Sequence, residues 1–229
     1  TLTAPSDGIG AAVLAASDKV IISYATPSST NPSVASTTAY MIGIRGTFGD
    51  TGTTTVNILN DDQVALTATV DQSLSFSISD NSVGFGTLSA ADDKFATGDG
   101  TGNTNETEAH TLIVGTNAAG GYTMSVNGNT LTSGGNTITA IGAANTATSV
   151  GSEQYGLRMT AAGGSGAVSA PYADAVYAFD SAAFPDAVAS AGGASANTTY
   201  SVRYIANITA NTEAGAYTST LAYTATPNF

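Results

Sequence analysis

Cysteine and tryptophan are absent, a single histidine stands at position 110, and only five residues carry positive charge. Without cysteine no disulfide can contribute, so stability must come from packing, sheet hydrogen bonds, metal or assembly. One histidine and no thiol leave too few ligands for a structural zinc site. A serine hydrolase triad would have to use His110, and no G-x-S-x-G elbow accompanies it. His110 directly precedes Thr111-Leu112-Ile113 at the start of an apolar run, where it reads as a surface or strand-edge histidine. The chain is read as non-enzymatic.

Positive charge is scarce against seventeen Asp and Glu, and the net charge of -12 repels nucleic acid and anionic lipid. Nucleic acid is therefore not an expected partner. No run approaches the roughly 20 apolar residues of a membrane helix, and membrane insertion is not expected. With so few charges, the polar surface falls to Thr, Ser and Asn, which suits packing against further copies of the chain. The sequence begins at Thr1 rather than Met. That beginning suits a mature product whose export signal has been removed, and the expected location is extracellular, at the cell surface.

What the sequence does contain is alternation. Tyr200, Val202, Tyr204, Ala206 and Ile208 occupy every second position, with Ser201, Arg203 and Asn207 between them, the pattern of a strand with one buried face. After a turn over residues 211–215, a second strand over 217–225 places Leu221 and Tyr223 inward, and the two are expected to form a hairpin. A second hairpin is expected from Val64, Leu66, Ala68 and Val70 with Leu74, Phe76 and Ile78, turning at Asp71-Gln72. Further strands are expected over 111–116, 122–126, 137–141 and 155–160. Gly-, Asn- and Ser-rich stretches separate them and favour turns. Residues 7–16 are the best helix candidate, although Gly8 and Gly10 count against it. The expected fold is all-β, an antiparallel β-sandwich of immunoglobulin-like or pilin-like type.

A boundary is expected near Asn60-Asp61-Asp62. Residues 1–62 then form a smaller N-terminal β segment with strands over 20–24, 40–44 and 53–59, and residues 63–229 form the main sandwich. Three strands make a marginal unit. Completion can come from the downstream part or from a neighbouring subunit that adds or receives a strand. The residues expected at such a subunit interface are Val20, Ile22, Tyr24, Tyr40, Ile42 and Ile44.

No cofactor is expected, with calcium as the one metal left open because it needs only oxygen ligands. Its candidate ligands are Asp92, Asp93, Asp99, Asn103, Asn105, Glu106 and Glu108, which lack the spacing of an EF-hand loop, and secondarily Asp61 and Asp62. Most of the ten tyrosines fall on inward strand positions. Tyr172 and Tyr177, in the less regular stretch 170–179, are the expected ligand contacts.

The pattern Tyr200-x-Val202-x-Tyr204-x-Ala206-x-Ile208, then Thr212-x-Ala214-Gly215-x-Tyr217 and Leu221-x-Tyr223-Thr224-Ala225-Thr226, resembles the closing hairpin of secreted surface proteins from uncultured bacteria of the candidate-phyla type. Gly84-Phe85-Gly86-Thr87-Leu88 and Thr116-Asn117-Ala118-x-Gly120-Gly121-Tyr122 are similar to the middle of the same proteins. The ending is also similar to pilin-like sandwiches, whose subunits polymerise by lending a strand. This chain departs from those in lacking a short donor peptide and a disulfide. The resemblance implies a structural subunit of a pilus-like filament or surface layer, with copies of itself as partners in a homopolymer. The alternative is a monomeric adhesin or glycan-binding module that contacts a surface glycan through residues 170–185.

Overall fold

Tyr200, Val202, Tyr204 and Ala206 point into one apolar core from a single strand, because a pleated strand sends successive side chains to opposite faces. The computed structural model describes residues 38–45, 51–58, 64–173 and 175–229. In chain order the strands are β1 (Thr38–Arg45), β2 (Thr51–Ile58), β3 (Leu74–Ile78), β4 (His110–Thr116), β5 (Tyr122–Gly128), β6 (Thr132–Ser133) and β7 (Asn136–Thr137). They continue with β8 (Gly142–Thr146), β9 (Gln154–Gly163), β10 (Ala167–Val168), β11 (Tyr177–Phe179), β12 (Asp186–Ala191), β13 (Ser195–Asn207) and β14 (Leu221–Pro227). No helix occurs among the described residues. The protein is all-β.

The chain divides into two compact units, Thr1–Ala68 and Thr69–Phe229. In the first, β1 and β2 pair antiparallel from Thr38 opposite Ile58 to Arg45 opposite Thr51. Tyr40 is partly buried, Met41, Ile42 and Val56 are exposed, and Ile44 lies near the end of β1. The strand expected at Val20, Ile22 and Tyr24 and the helix candidate over 7–16 lie outside the described residues.

The second unit is an antiparallel sandwich. One sheet has the order β3-β4-β13-β9-β11-β8 and the other β10-β12-β5-β14. Leu112 and Val114 of β4, Leu157 and Met159 of β9, and Tyr200 and Val202 of β13 meet Tyr122, Met124 and Val126 of β5 and Val188 of β12 in one buried cluster. The hydroxyls of Tyr122 and Tyr200 lie 2.6 Å apart inside it, so each phenol brings its own polar partner across the core. The turn from β4 into β5 depends on Gly121. Its φ of +73° suits glycine, and a Cβ there would lie 1.9 Å from the Ala191 carbonyl oxygen.

Three expectations are corrected. First, β13 and β14 do not form a hairpin. β13 is an interior strand with β4 on one side and β9 on the other, so both its edges are taken, and the chain crosses to the opposite sheet, where β14 pairs with β5. Second, Val64, Leu66, Ala68 and Val70 do not turn back onto β3. Asn117 accepts from the Ser73 N–H at 2.8 Å and donates to the Asp71 carbonyl at 2.7 Å, which ties residues 71–73 to the β4–β5 connection. β3 pairs with β4 instead. Third, Asn207 does not face water. It is buried and donates to Asp93 at 2.6 Å and to Gln154 at 3.3 Å, because residues 94–96 pair along the edge of β13 there and bring Asp93 beside it.

Candidate functional site

The crossing of β13 into the other sheet leaves a seam between the two sheets where β3 and β14 are the terminal strands. A cleft of about 850 Å³ opens there, lined by Ile78 at the end of β3, residues 80–88, Leu131, Ile208, residues 212–220, and Leu221 and Tyr223 of β14. One wall is held by a turn. Gly84 and Thr97 exchange backbone hydrogen bonds at 3.0 and 2.9 Å, and Asp99 accepts from the Thr97 hydroxyl, the Thr101 hydroxyl and the Thr101 N–H. Those bonds lower the Asp99 pKa by favouring its charged form. The opposite wall is pinned by the Thr212 hydroxyl donating to Glu153 at 2.6 Å and by the Tyr217 hydroxyl donating to the Glu213 carbonyl at 2.9 Å.

The buried part of the lining is aromatic. β4 sends His110, Leu112 and Val114 to the core face, so strand parity places the histidine inside. Its ring stacks on Tyr204 at 5.6 Å between centroids and meets the edge of Tyr223 at 5.9 Å. His110 Nε2 lies 2.8 Å from the Tyr204 hydroxyl, which lies 2.6 Å from that of Tyr223. His110 Nδ1 is buried with no partner among the described residues. Burial lowers the His110 pKa against the upward pull of the Thr111 backbone, Asp80 and Glu108, and so favours the neutral ring. Burial likewise raises Tyr204 and Tyr223 and pushes Tyr155 up to about 12. The surface or strand-edge reading of His110 is thereby corrected. The signal that could have found it was its shared parity with Leu112 and Val114.

Tyr172 and Tyr177 are corrected as well, since neither ring is displayed on a loop. Tyr172 is fully buried and donates to Asp186 at 2.7 Å, and Tyr177 lies on β11, buried beside Phe95 and Ile205, donating to Glu106 at 2.5 Å. Glu106 also binds the Arg158 guanidinium. Partial burial alone would raise the Glu106 pKa, but the hydrogen bonds from Arg158 and Tyr177 outweigh it and hold the carboxyl below its usual value. Arg158 and Arg203 stand opposite one another on β9 and β13, so Glu106 also relieves their repulsion.

Three of the residues considered for calcium make local contacts. Asp93 binds Asn207, Asp99 closes its own turn and Glu106 binds Arg158. Among the described residues no group of three or more His, Asp or Glu side chains converges on a point. The cleft brings together apolar side chains such as Ile78, Phe85 and Leu221, polar ones such as Asn81 and Thr218, two terminal strands and several phenols. Such a surface can accept an extended peptide or an apolar ligand. Compared with known proteins, the chain matches no family model, no curated protein and no solved structure.

Proposed function

We propose that this protein is a structural subunit of an extracellular assembly, a pilus-like filament or surface layer, whose copies join through β-strand contacts. The observation that carries this reading is the seam. β14 is a terminal strand whose outer edge pairs with nothing among the described residues, and it borders a cleft of mixed polar and apolar lining that includes Ile78, Phe85 and Ile208. A terminal strand with a free edge is a template for strand addition, in which main-chain bonds give affinity and alternate side chains give register. The exposed apolar side chains of Met41, Ile42 and Val56 on β1 and β2, which form a two-stranded sheet among the described residues, fit the same reading, because two strands alone are marginal in water. On this reading the protein belongs with the secreted sandwich proteins that its sequence resembles, and its partners are copies of itself.

Sizing chromatography and negative-stain microscopy of the full chain test the proposal. Polymers or sheets with a regular repeat are expected. A monomer at every concentration would reject it and favour a monomeric surface adhesin. One observation speaks for that second reading, since the cleft lies within the roughly 300–1,000 Å³ range of small-ligand sites.

A further inference from the structure

Residues 64–70 read Val-Ala-Leu-Thr-Ala-Thr-Val and β14 reads Leu-Ala-Tyr-Thr-Ala-Thr-Pro, so four of seven positions are identical and the apolar alternation is shared. β14 uses that pattern to send Leu221, Tyr223 and Ala225 toward the core and Ala222, Thr224 and Thr226 to solvent. Among the described residues, residues 64–70 have the same pattern and belong to no ladder, and Val64, Leu66 and Val70 are 82%, 91% and 83% exposed.

A connecting segment is normally rich in Gly, Ser, Pro or charge. This one has none of these and combines β-branched and apolar residues over a length prone to intermolecular pairing. Asp61, Asp62 and Asp71 flank it, the placement of charges that limits indiscriminate association of a strand that must stay apolar. Seven residues of strand reach about 23 Å, the same length as the seven residues of β14.

Resting on the filament reading above, we infer that residues 64–70 of one copy add as a strand to the free edge of β14 in a second copy. Val64, Leu66 and Val70 then close the neighbour's cleft against Ile78, Phe85 and Ile208. Ala65, Thr67 and Thr69 continue the solvent face set by Ala222, Thr224 and Thr226. Each copy carries both the donor and the acceptor, and they are different surfaces. The contact is therefore heterologous, and it propagates into a chain of subunits wherever it does not close into a ring or a reciprocal two-copy exchange.

The chain has no cysteine, which makes the test clean. Thr67 and Thr224 are the middle residues of two seven-residue segments, so full overlap sets them opposite each other in either strand direction. Their separation is then within the reach of a disulfide. Full-length Thr67→Cys protein is mixed with full-length Thr224→Cys protein under mild oxidation. A mixed disulfide dimer is expected, with its yield reduced at least tenfold when the first protein also carries Leu66→Asp. Because Leu66 is exposed, that change leaves the monomer's circular dichroism and melting unaltered, which separates lost docking from lost folding. Polymers that form without the cross-link and survive Leu66→Asp would overturn the donor assignment while leaving the filament reading intact. Absence of both polymer and cross-link would overturn both. If a single chain carrying both cysteines closes on itself without forming dimers, the occupant is its own segment, and the inference fails.

Discussion

Replacing Tyr204 with phenylalanine removes one oxygen and keeps the ring, so it isolates what the hydroxyl chain contributes. That hydroxyl bridges His110 Nε2 at 2.8 Å and the Tyr223 hydroxyl at 2.6 Å, within a side chain only 4% exposed. Two hydrogen bonds at a net value of about 1 kcal/mol each are lost. In addition, a histidine whose Nδ1 is already unpartnered loses its remaining bond, and stranding a buried polar atom costs about 1–3 kcal/mol. The two contributions overlap, and the expected destabilisation of Tyr204→Phe is about 2–4 kcal/mol, equivalent to a melting shift of roughly 5–15 °C for a unit of this size. Urea unfolding followed by circular dichroism measures it. His110→Phe in the same background supplies the control. Once the imidazole is gone, removing the Tyr204 hydroxyl strands one fewer polar group, and the double variant is less destabilised than the sum of the singles by about 1 kcal/mol or more. A cost below about 0.5 kcal/mol for Tyr204→Phe, or strict additivity in the double variant, would refute the claim that the hydroxyl chain fixes the histidine.

The remaining predictions concern pH and packing. Burial lowers the His110 pKa in the folded state, so the unfolded chain takes the proton first, and the stability this group confers is complete above its ordinary value of about 6.5 and declines as pH falls toward the folded value. Urea midpoints should drop between about pH 7 and pH 5 with a slope of at most about 1.4 kcal/mol per unit, and His110→Phe should flatten that decline. Leu112→Ala, which truncates a fully buried side chain between the sheets, should cost about 2–5 kcal/mol of unfolding free energy, whereas Leu66→Ala should change the monomer by less than about 0.5 kcal/mol. Equal effects of the two would contradict the burial assigned to them.

Period-two alternation marks some core-facing strands and misses others: the strand expected over 137–141 is limited to Asn136–Thr137, and β12 is not marked by it. β4, β5, β9 and the inward set of β13 are legible in the sequence, because burying every second side chain leaves a mark that needs no knowledge of partners. Partner choice leaves no such mark. Nothing in the sequence around 200–225 distinguishes a hairpin from a crossing between sheets. The outcome depends on whether β13 has a free edge, and it has none once β4 and β9 flank it. The same gap hid the candidate site. His110 was within reach of a parity argument, but its contact with Tyr204 and Tyr223 joins three strands whose proximity is set by topology. Tyr172 and Tyr177 lie in a stretch whose irregular sequence gives no sign that both rings are buried. Short β11 and the segment carrying Phe95 supply cover that no local pattern announces.

The two large sheets have four terminal strands, and they are not equally open to pairing. Natural sheets protect their edges by shortness, bulges, charge or proline. β10 has only two residues, β8 meets β11 across an irregularity in register, and β3 spans five residues whose approach is tied down by Asn117. β14 is different. It is seven residues long, carries no charged side chain, runs in unbroken register along β5 and meets proline only at its last position. A monomer under pressure to avoid association would be expected to protect this edge first, since it is the longest of the four and borders the cleft. Leaving it bare is consistent with an edge kept for a partner. A lysine at Thr224, on the solvent face, would add the missing protection with little effect on the core, so Thr224→Lys should reduce any assembly of the full chain while its melting temperature stays within a few degrees of the parent.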